Sequence, residues 1–311
     1  MARLVVFLPQ YTIEGMRAGH SPLKALLANI KVHQPLQAFN APPEALAAHF
    51  GLYEPHIPWA RMCAHALGLN VGAASWLCLE PVRVTAQRGR LILQGIAHID
   101  LPVESPMFAT LSELVSSIGC QLLSVRNGSL FLKCVHPLEL STHPWWHAWG
   151  RDISEYWPTG PDQKRWLSLF NELQMVLHAE TIVDRWGSPA TENSANAFWA
   201  WGEGTWLPTE QVTMRNVYAD DMLPRILAFG RRDPLYSLTE FFAEGVPLAE
   251  DNLVVLGRCL PTDNTESARY TDYENQLIEL LTLRKIKEVD WVFADGARGM
   301  WRPKGWRFWH R

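Results

Sequence analysis

The chain has 311 residues, of which 48% are hydrophobic and 19% are charged. This balance excludes a disordered or fibrous protein, and the length predicts one large α/β domain or two smaller domains with a buried core. The formal net charge of −4 excludes a nucleic-acid-binding surface that covers the whole protein, because such a surface needs many basic side chains. Every apolar run is shorter than the roughly 20 residues of a membrane-spanning helix, so we expect no membrane segment.

The cysteines and the first residues indicate where the protein is found. The five cysteines are scattered and show no Cys-x-x-Cys spacing, so we predict reduced, mostly buried thiols and a cytoplasmic location. They are Cys63, Cys78, Cys120, Cys134 and Cys259. The apolar run at the start ends at Pro9 without a small-residue cleavage site, which favours a first strand over a signal peptide.

The first half of the chain predicts a strand, two helices and then antiparallel hairpins. Residues 4–8 form a short apolar run that is typical of a buried strand, and residues 43–50 and 59–67 have apolar side chains at helical spacing. The turn sequences Gln87-Arg88-Gly89 and Asn127-Gly128 each lie between strand-like segments and predict two hairpins. A helix is expected between them at 110–118.

The second half predicts helices alternating with strands. A long amphipathic helix is expected to begin near Asp162 and to end near residue 179. The strand of residues 198–201 follows. The remaining predicted elements are helices at 222–229, 237–243 and 270–287 and strands at 252–257 and 289–294.

These elements predict an α/β fold with a partly parallel core sheet built from both ends of the chain. The order strand, helix, strand from residue 252 to residue 294 has the length of a βαβ crossover. An α+β region with antiparallel hairpins is inserted between the two ends. We predict that residues 1–70 and 210–311 form the core and that residues 71–209 form the inserted domain.

Residues 193–208 contain three tryptophans around a Gly-x-Gly turn. Trp199 and Trp201 occupy alternate positions, as in a strand, while Gly202 and Gly204 permit backbone angles or close approaches that a side chain would forbid. We therefore expect another group to lie close to this backbone. Two interpretations stay open: a strand that ends in a tight turn under an aromatic core, and a ligand contact.

No catalytic motif of a common class occurs in the sequence. It has no Gly-x-Ser-x-Gly, no P-loop and no dinucleotide-binding glycine pattern. His143 and His147 have no third metal ligand beside them, so we interpret them as loop histidines. The acidic pair Asp220-Asp221 is interpreted as a solvated cap or turn, and so is Asp272 with Glu274. The sequence thus predicts no catalytic residue, no metal ligand and no cofactor.

The last fourteen residues alternate basic and aromatic side chains, a mixture that binds single-stranded nucleic acid in some proteins. The same segment contains Pro303-Lys304-Gly305, which is typical of a turn between two short strands, with Trp301 and Trp306 packed across it. We favour the hairpin, because one basic tail on an acidic protein is weak evidence for nucleic acid.

Three segments resemble a bacterial family described as RpfE-type regulatory proteins. They begin at Gly150, Asn171 and Asn196 and read GRDISEYWPTG, NELQMVLH and NAFWAWGEGTWLP. That family is in turn similar to the archaeal-type cofactor-independent phosphoglycerate mutases of the alkaline phosphatase superfamily. The resemblance covers about residues 70–210 and the closing segment 273–309.

In the mutases, the matching region is a substrate domain in which a His-Pro-x-Asn segment and an Arg precede the Trp-Gly-x-Gly strand. His178 matches the histidine, Ala179 and Thr181 stand at the Pro and Asn places, and Arg185 lies one position from the place of the Arg. The resemblance therefore implies a substrate domain with altered ligand contacts.

The mutase core also holds two metal ions about 4 Å apart, bound by an Asp after the first strand and by later Asp and His groups. This chain has Gln10, Tyr11 and Thr12 after its first strand, and Asp295-Gly296 near its last predicted strand. The resemblance thus implies a mutase-like fold without the metal centre.

The favoured hypothesis is a non-catalytic mutase-like protein that acts by binding or regulation, with a small anionic ligand or a protein as partner. The predicted ligand-binding residues are Arg185, Asn196, Trp199, Trp201, Gly202 and Gly204. Arg185 is the expected partner of an anionic group. One alternative is a metal-dependent phosphomutase or phosphatase whose ligands have no recognisable motif. The other is nucleic-acid binding through the C-terminal tail.

Overall fold

The structure is a computed structural model, and it contains two compact units. It describes residues 3–19, 21–28, 30–34, 39, 41–53, 57–97, 99, 101–125, 128–184, 195–204, 215–243, 250–260, 267–282, 286 and 288–302. The first unit comprises residues 1–54 and 208–311, and the second comprises residues 55–207. Each unit has its own sheet.

The strands and helices are numbered in chain order through the described residues. The strands are β1 (Arg3–Leu8), β2 (Val32–His33), β3 (Ser75–Gln87), β4 (Arg90–Ile96), β5 (Cys120–Ser124), β6 (Leu130–Cys134), β7 (Ala197–Trp201), β8 (Asn216–Tyr218), β9 (Leu235–Tyr236), β10 (Asp251–Val255), β11 (Val289–Phe293) and β12 (Arg298–Trp301). The helices are α1 (Ile13–Ala18), α2 (Lys24–Leu27), α3 (Pro42–Ala48), α4 (Trp59–Ala66), α5 (Pro106–Ser117), α6 (Trp145–Ala148), α7 (Gln163–Asp184), α8 (Met222–Arg231), α9 (Leu238–Phe242) and α10 (Ser267–Thr282).

The sheet of the first unit has the strand order β2-β12-β11-β1-β10-β8-β9 in the described residues. Strand β1 lies between β10 and β11 and pairs with both in parallel. Strands β8 and β9 continue the parallel part, while β12 and β2 add an antiparallel edge. This topology confirms the prediction of an α/β fold whose core sheet is partly parallel and is built from both chain ends.

Apolar side chains on one face of this sheet form the core under α10. Because side chains alternate along a strand, Leu4, Val6 and Leu8 share one face. They are buried with Trp291 and with residues of α1 and α10. Phe7 points to the opposite face, where its ring contacts that of His49, just after α3, with a centroid distance of 6.3 Å.

The second unit is an antiparallel α+β domain. Its sheet has the order β4-β3-β6-β5, and β7 also pairs with β3. Helices α5 and α7 cover one face, where Leu111, Val115, Trp166 and Leu173 are buried. The predicted hairpins and the long helix are thereby confirmed, and α4 is part of this unit.

Helix α5 begins four residues before its predicted start. The Ser105 side chain accepts a hydrogen bond from the Phe108 amide at 3.1 Å, and Pro106 occupies the first helical position. Serine before proline is a common start of a helix, because the hydroxyl caps a free N–H and proline fits the first turn. The sequence therefore carried this signal.

The prediction that every cysteine is reduced is wrong for one pair. Cys120 and Cys134 form a disulfide, with 4.1 Å between their Cα atoms. They lie directly opposite each other in the β5–β6 ladder, which brings their side chains together. Cys63, Cys78 and Cys259 are buried free thiols. Disulfides are rare in the cytosol, so the cytoplasmic location stays a prediction.

The sequence also predicted no membrane segment. Within the described residues, no helix combines the length and the apolar character that a bilayer crossing requires. The predicted turn at 303–305 and the rest of the tail lie outside the described residues. Residues 298–301 form β12, which pairs with β11 through a short turn at 294–297.

Candidate functional site

The loops after the parallel strands of the first unit meet at one edge of its sheet. Strands β1, β8, β10 and β11 all run in the same direction, so the residues that follow their last positions share this carboxyl edge. Ligands of open α/β sheets bind at such an edge. The acids there are Asp220 and Asp221 after β8 and Asp295 after β11.

Asp220 is bonded to three groups of its own unit. Its carboxylate accepts hydrogen bonds from the Arg269 guanidinium at 2.8 Å, from the Leu238 amide at 3.0 Å and from the Tyr273 hydroxyl at 3.2 Å. Its side chain is only 13% exposed. The prediction of a solvated acid is therefore wrong here, because α9 and α10 bring donors that are distant in sequence.

Asp221 precedes α8 and is also engaged by backbone donors. It accepts a hydrogen bond from the Cys259 amide at 3.0 Å. Burial raises the pKa of the Asp221 carboxyl, while the backbone N–H groups of Cys259 and Met222 oppose that change. Burial also raises the pKa of the Cys259 thiol, and the neighbouring Asp221 adds to the increase. The thiol is therefore protonated at neutral pH and a poor nucleophile.

A further buried acid near this edge is Glu274 of α10, which is 2% exposed. The Ser21 hydroxyl donates to it at 2.7 Å. Burial raises the pKa of Glu274, while hydrogen bonds from Ser21 and Tyr11 oppose the shift. Burial and the neighbouring Glu274 raise the pKa of Tyr11 to about 12. The sequence-based interpretation of Glu274 as solvated is wrong, because its helix position faces the loop after β1.

These acids do not fit a two-metal centre. Such a centre needs carboxylates and imidazoles with free oxygens and nitrogens that converge on one point. Here a guanidinium, a phenol, hydroxyl groups and backbone amides take up the oxygens of Asp220, Asp221 and Glu274. The Asp295 carboxylate accepts from the Ala297 amide within its own turn. The described residues contain no group of three or more metal-binding side chains.

The Trp-Gly segment lies in the second unit, and its close neighbours belong to the chain itself. A Cβ atom on Gly202 would lie 2.8 Å from the Ala60 nitrogen, and a Cβ atom on Gly204 would lie 3.0 Å from the Pro58 Cα. The Ala60 amide donates to the Gly202 carbonyl at 3.0 Å. The close approach expected from the sequence is therefore that of the start of α4.

The other predicted ligand-binding residues also have internal partners. Asn196 uses both atoms of its amide on the Val84 backbone, each at 2.8 Å. The Trp199 indole donates to the His143 carbonyl at 2.7 Å. Trp201 packs edge-on against Trp146, with ring centroids 4.8 Å apart. Arg185 lies outside the described residues, so its predicted role in ligand binding stays a prediction.

Next to the tryptophan strand lies an acid that the sequence analysis missed. Glu80 on β3 is paired with Trp199 across the sheet. Burial raises the pKa of its carboxyl to about 7. The Trp201 indole N–H lies close enough to oppose that shift, but it does not close a hydrogen bond of ordinary geometry. A glutamate among the mostly apolar residues of the segment 76–84 was the available signal.

Comparison with solved structures finds matches of low sequence identity. One is a cofactor-independent phosphoglycerate mutase from Thermoplasma acidophilum, with 13% identity and a TM-score of 0.44, covering 97% of this chain and 89% of that chain. Another is a protein from Pyrococcus horikoshii, with 13% identity and a TM-score of 0.47, covering 97% and 88%. No protein-family model and no curated protein matches the chain. The RpfE-type resemblance thus stays a prediction.

The sequence analysis also missed a cationic cluster in the first unit. The Arg215 guanidinium donates to the His49 carbonyl at 2.9 Å and pairs with Asp251 at 2.8 Å. The Arg298 guanidinium lies 3.3 Å from Nε2 of His49. Burial, together with Arg298, Arg215 and Arg3, lowers the pKa of His49 to about 3. His49 is thus neutral at physiological pH.

This shift predicts that the first unit becomes less stable in mild acid. The ordinary pKa of histidine is 6.5, so below that pH the His49 side chain is protonated in the unfolded chain but stays neutral in the folded protein. The contribution of His49 to stability is fully present above pH 6.5 and is lost as the pH falls toward 3. Between pH 7 and pH 5 we expect a loss of about 1 to 2 kcal/mol, measured by urea unfolding.

His49→Gln tests the source of this loss. The variant should lose less stability over the same interval, and Arg298→Gln should reduce the loss only in part, because burial is the larger cause. An identical pH dependence in wild type and His49→Gln would show that other groups cause it.

Proposed function

We propose that this chain is a non-catalytic, mutase-like protein that acts by binding an anionic ligand and not by transferring phosphoryl groups. The observation that carries the proposal is the engagement of Asp220, whose carboxylate accepts from a guanidinium, a phenol and a backbone amide. A carboxylate that is held in this way stabilises the packing of α9 and α10. To bind a divalent cation, it would have to give up charge-assisted hydrogen bonds.

Neighbouring groups support the same conclusion. Burial raises the pKa of Asp221 and of Glu274, so both carboxyl groups hold a proton more readily than free carboxyl groups do. Their oxygens, like those of Asp220, already accept hydrogen bonds from groups of the chain itself. The thiol of Cys259 is buried with a raised pKa and is not activated as a nucleophile.

The proposal is tested by titrating the purified protein with Mn²⁺ and Zn²⁺ in a calorimeter. Wild type, Asp220→Asn and Asp272→Asn are compared. Asp272 is an exposed acid on α10 and serves as the matched control. We expect no saturable binding that depends on Asp220. Stoichiometric binding that Asp220→Asn abolishes and Asp272→Asn preserves would contradict the proposal and favour a metal-dependent phosphomutase or phosphatase.

A further inference from the structure

A cavity of about 440 Å³ lies beside the antiparallel edge of the first unit's sheet. Its walls come from α3 and the residues after it, from β2, and from the turn and strands β11 and β12. This volume is within the range of small-molecule sites in proteins, roughly 300 to 1,000 Å³. The lining residues are His33, Gln34, Phe39, Ala45, Ala48, His49, Tyr53, Val292, Gly296 and Arg298.

Among the described residues that line this cavity, Arg298 carries a positive charge. The lining residues that the structure describes include a guanidinium and two imidazoles and no carboxylate, although the chain as a whole has a formal net charge of −4. In the described part of the chain, Arg3, Arg215 and Arg302 each pair with an acid. Arg298 has no such ion pair there. Its guanidinium therefore retains donors for an anion.

His49 orients that guanidinium. Arginine has no hydrogen-bond acceptor, so the contact of 3.3 Å requires Nε2 of His49 to accept and the His49 proton to reside on Nδ1. Arg215 donates to the carbonyl of the same residue and fixes its backbone. Arg298 is thus held on one side while its remaining N–H groups stay available. Planar N–H pairs of this kind match carboxylate and phosphate oxygens.

Part of the cavity wall is apolar. Phe39, Ala45, Ala48 and Val292 supply this surface, and the two alanines leave room where larger side chains would fill the space. We propose that the cavity binds a small organic anion, with its carboxylate or phosphate on Arg298 and its apolar body against this wall. The inference names the ligand of the proposed binding function and rests on that function for its biological meaning.

The test measures binding of three probes by calorimetry: benzoate, phenyl phosphate and uncharged benzyl alcohol. We expect one or both anions to bind the wild-type protein and benzyl alcohol to bind at least about tenfold more weakly, because a charge-assisted hydrogen bond is lost. Arg298→Gln should weaken the anion by a similar factor. Arg302→Gln removes an exposed, paired arginine of the same segment and should leave binding unchanged. The anion with the higher affinity shows whether the site prefers a carboxylate or a phosphate.

A second variant keeps the test independent of Arg298. Ala48→Trp fills the cavity from α3 and should abolish binding while circular dichroism stays that of wild type; Ala48→Ser is the control for the position. Failure of both anions to bind, or equal affinity of wild type and Arg298→Gln, would overturn the inference. Neither result depends on metal binding at the carboxyl edge, so failure of this site and failure of the proposed function are separate outcomes.

Discussion

Replacing Gly202 with alanine is expected to destabilise the second unit by about 3 kcal/mol or more. Gly202 has a φ of +87°, a conformation that costs an L-residue about 1 to 2 kcal/mol. In addition, the new Cβ would lie 2.8 Å from the Ala60 nitrogen, which is backbone and cannot rotate away. Forcing apart well-packed groups adds about 1 to 3 kcal/mol. Urea unfolding followed by tryptophan fluorescence measures the change.

Gly119→Ala is the matched control for this variant. Gly119 lies in the same unit with a φ of +76°, and no atom lies within 4 Å of the place of its Cβ. It should lose only about 1 kcal/mol, from the backbone conformation alone. Equal losses for the two variants would mean that the start of α4 does not lie against Gly202, and the ligand-contact interpretation of this turn would gain support.

Glu80→Gln is expected to stabilise the second unit at alkaline pH and to change little at pH 5. The folded-state pKa of Glu80 is about 7, above its ordinary value of 4.5, so the folded state binds a proton more tightly than the unfolded chain. The stability linked to this proton is present below pH 4.5 and is lost as the pH rises through 7. At pH 8.5 the variant should be more stable by about 2 kcal/mol.

Unfolding of wild type, Glu80→Gln and Glu104→Gln between pH 5 and pH 8.5 tests this prediction. Glu104 is an exposed acid of the same unit, so its variant removes an equal charge without a buried carboxyl. The same stability difference between Glu80→Gln and wild type at both pH values would contradict a raised pKa. The pH dependence from Glu80 is opposite in sign to that from His49, and the two groups belong to different units.

The fold was predictable where local patterns are strong. The run Leu4–Leu8 and the segment from residue 252 to residue 294 have the lengths of buried strands and of a crossover, and they form the parallel core. The antiparallel pairing of the segments on either side of the predicted turn is also observed, as strands β5 and β6. The observed ladder places residue 120 opposite residue 134, whereas a two-residue turn at 127–128 would place residue 121 there, so the Cys120–Cys134 disulfide did not follow from the predicted hairpin.

The site was less predictable, because its contacts join residues that are distant in sequence. From the sequence, Asp220 is typical of an acid in a turn, whereas in the structure it is paired with Arg269 of α10. The expectation of a close neighbour at Gly202 came from the sequence, but only the fold shows that the neighbour is Ala60. The cationic cavity combines His49 with Arg298, which are 249 positions apart. No local pattern links such a pair.

Phosphate-ester turnover tests the central claim most directly. Wild-type protein is incubated with Mn²⁺ or Zn²⁺ and with 4-nitrophenyl phosphate or a phosphoglycerate, and released phosphate and isomerised product are measured. The engagement of Asp220 and Asp221 by internal donors predicts no turnover above that of Asp220→Asn protein. Metal-dependent turnover that is abolished in Asp220→Asn and retained in Asp272→Asn would contradict the account.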